Sequence, residues 1–243
     1  MRMTLHVFLA LCGLLLGADS AVAIAPDRVL VFTRTQQFRH DSIPTAVATL
    51  QHLASREGMP ADHSEDAADF TAANLARYRV VVFASTTGDV LDADQQRAME
   101  GFIRNGGGFL GLHAAADTEY DWPWYGDLVG AYFSSHPPGL QDTRVQAERD
   151  GRVPGKAWPI RDELYNYRTH PRPRVQVVAR IDERLYHGGS MGDDHPITWC
   201  HAFDGGRSWY TGLGHDEAVY RDPNFLAQLR QGLRYVAGTS PRC

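Results

Sequence analysis

The chain has 243 residues, of which 43% are hydrophobic and 22% charged, and its formal net charge at pH 7 is −5. This ordinary globular composition excludes a disordered tail, a collagen-like fibre and a disulfide-dense miniprotein. The mild acidity gives no electrostatic sign of nucleic-acid binding. Eleven histidines and 23 glycines stand out. Because histidine titrates near neutrality and ligates metals, the question is whether these histidines gather at one site.

The first 23 residues have the pattern of a secretory signal peptide. Arg2 gives a positive start, an apolar run covers residues 5–16, and small residues at positions 21 and 23 match a signal-peptidase site. The alternative is an N-terminal membrane anchor, for which the apolar run is short. We therefore expect cleavage after Ala23, a single domain over residues 24–243 and a periplasmic or secreted location.

The first half of the domain alternates between strand and helix patterns. Short apolar runs predict strands at residues 28–33, 80–84 and 109–112. Ser42 is the predicted N-cap of a helix that ends near residue 57. Asp92 is the predicted N-cap of a second helix, which Gly106 ends. This alternation predicts a doubly wound α/β sheet.

The pattern changes after residue 122, where turn residues and short strands dominate. Strands are predicted around residues 144–147, 174–179, 197–202 and 208–211, and a final helix around residues 222–236. We find no internal repeat or linker, which favours one domain. The fold class expected is α/β, with a single doubly wound, mostly parallel sheet and extra antiparallel strands in the C-terminal half.

Two cysteines remain after residue 23. Cys200 lies in a predicted strand and Cys243 is the last residue. In an oxidising compartment the two can form a disulfide, but a buried Cys200 thiol is an equally good reading. Neither cysteine has the surroundings of a nucleophile.

The most informative position is the corner that follows the predicted strand at residues 109–112. Ligands of open α/β sheets bind at the carboxyl ends of the strands, and His113 occupies that end. Small residues at Gly111 and Ala115 permit a sharp turn, as in a nucleophile elbow. A histidine at the tip argues against an acyl-enzyme. His113 is a candidate base, oxyanion partner or metal ligand, and the alternative is a structural histidine.

Six segments together resemble one known family, the trehalose-utilisation ThuA-like family. They are residues 38–43 (FRHDSI), 106–113 (GGGFLGLH), 127–133 (DLVGAYF) with His136-Pro137, 162–165 (DELY), 195–199 (HPITW) and 206–215 (GRSWYTGLGH). The resemblance runs from about residue 28 to residue 236. It implies a flavodoxin-like fold similar to that of class I glutamine amidotransferases. In those enzymes the elbow residue is cysteine, so glutaminase activity is not expected for a chain with His113 there.

The resemblance also orders the candidate catalytic residues. His215 lies where the amidotransferases have the partner histidine of their cysteine, and it follows the predicted strand at residues 208–211. Glu163 is a candidate acid or base. Aromatic neighbours, among them Tyr165, are expected to raise the pKa of its carboxyl. A surface carboxylate is the alternative for Glu163, and a helix-entry loop braced by hydrogen bonds is the alternative for Arg39 and His40.

Further residues are candidates for binding the substrate rather than for catalysis. His40 and Arg39 follow the first strand, and Tyr165 follows Glu163. Asp117, Trp122 and Trp124 follow the elbow. Aromatic faces beside polar groups suit sugar rings, although aromatic clusters more often belong to a core.

A metal site is the weaker interpretation. His40, His113, His136 and His215 could converge, but no close spacing of ligands requires it. No metal ligand is therefore assigned from the sequence, and no cofactor is expected beyond a divalent metal left open.

Three functions follow from the residues and the resemblance. The first is an enzyme that acts on 3-keto-glycosides or related sugars by His and Glu acid–base chemistry without a cysteine nucleophile. The second is a carbohydrate-binding accessory protein without turnover, and the third is a metal-dependent hydrolase. The expected partner is a small carbohydrate. We expect no nucleic acid and no membrane after cleavage, and a homodimer is left open.

Overall fold

The computed structural model describes residues 28–149 and 153–243. The strands are β1 (Arg28–Phe32), β2 (Ala61–Ser64), β3 (Tyr78–Ala84), β4 (Gly108–Leu112), β5 (Phe133–Ser135), β6 (Gln141–Arg149), β7 (Val153–Asp162), β8 (Asn166–Tyr167), β9 (Gln176–Ile181), β10 (His195–Phe203) and β11 (Gly206–Thr211). The helices are α1 (Ile43–Arg56), α2 (Ala72–Leu75), α3 (Ala93–Arg104), α4 (Pro123–Val129) and α5 (Pro223–Val236). The predicted signal peptide lies outside the described residues.

One nine-stranded sheet organises the molecule, in the order β2-β1-β3-β4-β11-β10-β9-β6-β7. The strands from β2 to β11 pair in parallel. From β11 outward the remaining pairs are antiparallel. The predicted α/β class, with a parallel sheet that antiparallel strands extend in the C-terminal half, is confirmed.

Helices cover both faces of the parallel strands, as β11 demonstrates. Its Trp209 packs against Gly232 of α5, where even a methyl group would lie 2.5 Å from the indole. The preceding residue, Ser208, donates a hydrogen bond of 2.6 Å to the Leu128 carbonyl of α4. Because neighbouring residues of a strand point to opposite faces, α4 and α5 lie on opposite sides of the sheet. The central strand β3 is buried between these layers, as its apolar sequence predicts.

The N-termini of α3 and α1 test the two predicted helix caps, of which one is correct and one is wrong. Asp92 forms the predicted capping box with Gln95, and α3 ends before Gly106, whose φ is +90°. Ser42 occupies the N-cap position of α1, but its side chain makes no capping bond. Its hydroxyl instead donates to the carbonyl oxygen of Gly214 at 2.9 Å. The predicted Ser42 cap is therefore wrong, because a tertiary acceptor replaces the local one.

Some elements lack a clear signal in the sequence. The edge strand β2 is polar, and α4 begins at Pro123, between two tryptophans, without a side-chain capping bond. The long hairpin of β6 and β7 exceeds the short strand expected there. The hairpin matters for the candidate site because β7 ends at Asp162 and the next residue is Glu163.

A disulfide joins Cys200 of β10 to Cys243. The Cα atoms are 6.2 Å apart, and Cys200 is buried. Of the two readings open from the sequence, the structure has the bridge. Within the described residues, none of the helices has the length and apolar character needed to span a membrane.

Candidate functional site

Three histidines and one glutamate meet at the carboxyl edge of the parallel strands. His113 follows β4, His215 follows β11, and His40 lies in the loop after β1. Glu163 follows β7 and reaches the same place. One ligand atom from each side chain can be chosen so that all four lie within 4.8 Å of one another. The convergence of His40, His113 and His215 that the strand pattern predicted is therefore present, and Glu163 joins them.

His113 is held in a strained conformation by its neighbours. Its φ is +50°, a left-handed value that costs a residue with a Cβ atom about 1–3 kcal/mol. The Tyr210 hydroxyl donates to the His113 carbonyl at 2.9 Å. The imidazole Nδ1 lies 2.8 Å from the Gly212 carbonyl oxygen. Since a carbonyl oxygen can only accept, Nδ1 carries a proton, and in the neutral imidazole Nε2 therefore holds the lone pair.

Close packing fixes the Gly212 carbonyl that holds His113. A Cβ atom at Gly212 would lie 2.2 Å from the Tyr167 hydroxyl oxygen and 2.8 Å from Ile197 Cδ1. The amide of Gly212 donates to the Ile197 carbonyl at 2.8 Å. A residue with a side chain would therefore displace this turn and move the acceptor of the imidazole.

The buried Asp162 fixes the loop that carries His215. Its carboxylate accepts hydrogen bonds from the amides of Gly214 at 2.7 Å and Asp216 at 2.9 Å. These amides flank His215 on both sides. The Gly214 carbonyl in turn accepts from the Ser42 and Tyr220 hydroxyls. Sequence reasoning gave Asp162 no role, although its place beside Glu163 in the DELY segment was a usable signal.

Glu163 lies between imidazoles. Its Oε2 is 3.5 Å from His113 Nε2 and 3.3 Å from His215 Nδ1, and its Oε1 is 3.2 Å from His136 Nδ1. Burial alone would raise the pKa of the Glu163 carboxyl, but the contacts with His113 and His215 bring it well below its ordinary value. The predicted raised pKa is therefore wrong, because imidazoles and not aromatic rings surround the carboxylate.

The three converging histidines have different electrostatic environments. Burial lowers the pKa of His40 to about 3, helped by the charges of His113 and His215. The contact with Glu163 raises the pKa of His215, although partial burial opposes it. His40 and His113 are buried, whereas 27% of the His215 side chain and 38% of the His136 side chain are exposed. The cluster therefore opens toward solvent on the side of His215 and His136.

Each converging histidine has one buried ring nitrogen without a hydrogen bond. Among the described residues these atoms are His40 Nδ1, His113 Nε2 and His215 Nδ1. A buried nitrogen without a hydrogen bond costs about 1–3 kcal/mol, and two of these three nitrogens have only the contacts with Glu163 Oε2 at 3.5 and 3.3 Å. They favour a site that receives a ligand.

The structure places two of the other candidates beside the cluster. The Tyr165 ring lies 4.3 Å from the His113 ring, centroid to centroid. Asp117 accepts a hydrogen bond of 2.6 Å from Tyr120. Burial raises the pKa of the Asp117 carboxyl, although the charges of His113 and other nearby groups oppose the shift.

The remaining candidates do not reach the cluster. Arg39 forms an exposed ion pair with Glu65 at 2.7 Å. The Trp122 and Trp124 rings stack on each other at 5.1 Å. Trp124 donates to Asp204, which precedes β11 and so lies at the opposite end of the parallel strands from His113. The structure does not bring these three side chains to the histidines.

One aromatic side chain that sequence reasoning did not select stands beside the cluster. Phe38 is 63% exposed, and its ring meets the His40 ring edge-to-face at 4.8 Å. Its place in the FRHDSI segment was the available signal.

Comparison with known proteins agrees with this architecture. A putative ThuA-like protein from Bacteroides uniformis ATCC 8492 is 21% identical, with a TM-score of 0.70 over 90% of this chain and 95% of that one. A second, from Parabacteroides merdae ATCC 43184, is 19% identical, with a TM-score of 0.70 over 88% and 91%. A β-galactosidase from Bacillus circulans sp. alkalophilus is 15% identical, with a TM-score of 0.54 over 88% of this chain and 31% of that one. These likenesses show the fold.

No curated protein matches the chain in sequence. The family model for ThuA, described as trehalose utilisation, matches residues 28–236. That match covers both halves of the sheet and all four residues of the cluster. The chain therefore belongs to the ThuA trehalose-utilisation family.

Proposed function

We propose that this protein is an exported enzyme that acts on a carbohydrate at the cluster of His40, His113, Glu163 and His215. The observation that carries the proposal is the meeting of three buried, unpaired ring nitrogens with a carboxylate, at the edge of the sheet where α/β enzymes bind substrates. The arrangement supplies groups that accept and donate protons. It supplies no cysteine or serine at the elbow to act as a nucleophile.

Two features support a sugar as substrate. The family description, trehalose utilisation, associates the family with a disaccharide. The exposed Phe38 ring beside His40 offers a flat apolar surface to the C–H face of a sugar, while the imidazoles and Glu163 offer partners for hydroxyl groups. This division into a stacking face and polar partners is what a pyranose ring requires.

A 3-keto-glycoside fits the chemistry of the cluster. Its C2 proton is acidic because it lies beside the C3 carbonyl. A base removes this proton, the C1–O bond breaks, and an acid protonates the leaving oxygen, so that the reaction needs neither water nor an oxidant. His113 Nε2, whose lone pair is fixed by the Nδ1 hydrogen bond, suits the base. His215, beside Glu163, suits the acid.

The test is turnover of a panel of native and 3-keto disaccharides, followed by mass spectrometry. We expect product from one or more 3-keto substrates. Glu163→Gln, His113→Ala and His215→Ala should each lower kcat at least about 100-fold, since removal of a positioned acid or base costs about 10²–10⁴. Phe38→Ala should raise KM more than it lowers kcat. His52→Ala, an exposed histidine of α1, is the matched control and should retain full activity.

Two results would contradict the proposal. Full activity of both His113→Ala and His215→Ala would remove the reaction from this cluster. Sugar binding by calorimetry without product from any member of the panel would instead identify a carbohydrate-binding accessory protein.

A further inference from the structure

The unpaired nitrogens of the cluster point to a ligand that accepts electron pairs. In the neutral His113 ring the proton is on Nδ1 and Nε2 holds a lone pair, yet a carboxylate oxygen of Glu163 lies 3.5 Å from that nitrogen. Two electron-pair donors that face each other across 3.5 Å repel unless a cation or a shared proton lies between them. His215 Nδ1 faces the same oxygen at 3.3 Å.

The distances match the geometry of a metal ion. In a tetrahedral site with bonds of about 2.1 Å, neighbouring ligand atoms lie about 3.4 Å apart. The two measured separations from Glu163 Oε2, 3.5 and 3.3 Å, agree with this value. One ligand atom from each of the four side chains lies within 4.8 Å of the other three.

The surroundings of His113 are also those of a metal ligand. Histidines that bind metals usually donate their second ring N–H to a carbonyl or carboxylate, which fixes the tautomer and orients the ring. His113 donates to the Gly212 carbonyl, and the packing around Gly212 leaves no space for a side chain there. The neighbouring Asp162 fixes the loop of His215 in the same way, through backbone amides.

We propose that His40, His113, His215 and Glu163 bind one divalent transition-metal ion. Three imidazoles and one carboxylate suit zinc, iron or manganese rather than calcium or magnesium, which prefer oxygen ligands. The partly exposed His215 and His136 leave the ion open to the crevice on one side. A substrate oxygen would bind from that side as a fifth ligand.

This inference deepens the proposed function. The binding of the ion does not depend on that function, whereas the part of the ion in a sugar reaction rests on it. With His40, His113, His215 and Glu163 as its ligands, the ion would polarise the sugar carbonyl, in place of the base and acid roles given above to His113 and His215. Proton transfer would then fall to His136, which lies outside the ligand set. Its Nδ1 is 2.8 Å from the Pro137 carbonyl, so its Nε2 is the basic atom.

The experiment measures ion binding directly. Purified protein, stripped with a chelator, is titrated with Zn²⁺ by calorimetry, and with Co²⁺ by visible absorption, whose d–d bands report coordination by nitrogen and oxygen ligands. We expect one ion per chain. Glu163→Gln and His215→Ala should each weaken Zn²⁺ binding at least about 100-fold, since even the loss of an outer-shell partner costs about 10–100-fold. His52→Ala should bind like the unaltered protein, and circular dichroism checks that each variant is folded.

The outcomes separate the two proposals. Stoichiometric binding that the Glu163 and His215 variants lose supports the metal site, whether or not any sugar reacts. Binding that these folded variants keep places the ion elsewhere and overturns the inference. Absence of measurable Zn²⁺ and Co²⁺ binding in the folded protein also overturns it, and sugar turnover that persists after chelation then leaves the acid–base enzyme in place.

Discussion

Replacement of Asp162 by asparagine should weaken the fold substantially, although the two side chains have the same shape. The buried carboxylate accepts from two backbone amides, at 2.7 and 2.9 Å. Hydrogen bonds to a charged group contribute about 1.5–3 kcal/mol each. In Asp162→Asn one oxygen remains, and an NH₂ group faces the second amide, so that one bond is lost and a donor is left unpaired. We expect a loss of about 3 kcal/mol.

Denaturant and thermal unfolding measure this loss. For a domain of this size about 3 kcal/mol corresponds to a fall in Tm of roughly 6–12 °C. Asp142→Asn is the matched control, because that carboxylate is 76% exposed and should change stability by less than about 0.5 kcal/mol. A difference below about 1 kcal/mol between the two variants would refute the assignment of Asp162 as the anchor of the His215 loop.

Further substitutions test other parts of the fold. Cys243→Ser removes a disulfide between residues 43 positions apart. Denaturant titration should show that the free energy of unfolding falls by up to about 4 kcal/mol. The variant should be as stable as the unaltered protein measured with its disulfide reduced. Gly108→Ala places a methyl group 2.3 Å from a carbonyl oxygen of α5 and should cost about 1–3 kcal/mol. Gly101→Ala adds a methyl group to open space on α3 and should stabilise the fold by up to about 1 kcal/mol. Equal Tm values for the Gly108 and Gly101 variants would contradict this pair of expectations. The hydrogen bond from Arg28 lowers the pKa of Asp62. Asp62→Asn should therefore cost less than about 1 kcal/mol at pH 7, and the difference should disappear as the pH falls through the pKa of the folded-state carboxyl.

The parallel half of the sheet could be predicted because its signals are local. The apolar run of β3 and the capping box at Asp92 depend on neighbours in the sequence, and both are confirmed. Ser42 shows the limit of this reasoning. Its residue type predicts a cap, but its hydroxyl bonds to Gly214, a partner that no local pattern reveals.

The candidate site was predictable in part for the same reason. His40, His113 and His215 follow parallel strands, whose carboxyl ends share one edge, so their convergence follows from topology. Glu163 leaves an antiparallel strand, and nothing in its neighbourhood indicates which way the chain turns. The pKa of its carboxyl therefore could not be predicted, because the imidazoles that lower it are distant in sequence.

The turn at Gly212 has a consequence for how the protein can change over evolution. Its carbonyl accepts a hydrogen bond from His113, its amide donates to Ile197 near the start of β10, and a Cβ atom there would lie 2.2 Å from the Tyr167 hydroxyl. A mutation there alters the His113 imidazole and the junction between the parallel and antiparallel strands together. We therefore expect relatives that acquire new substrates to vary at exposed positions such as Phe38 and to keep this junction.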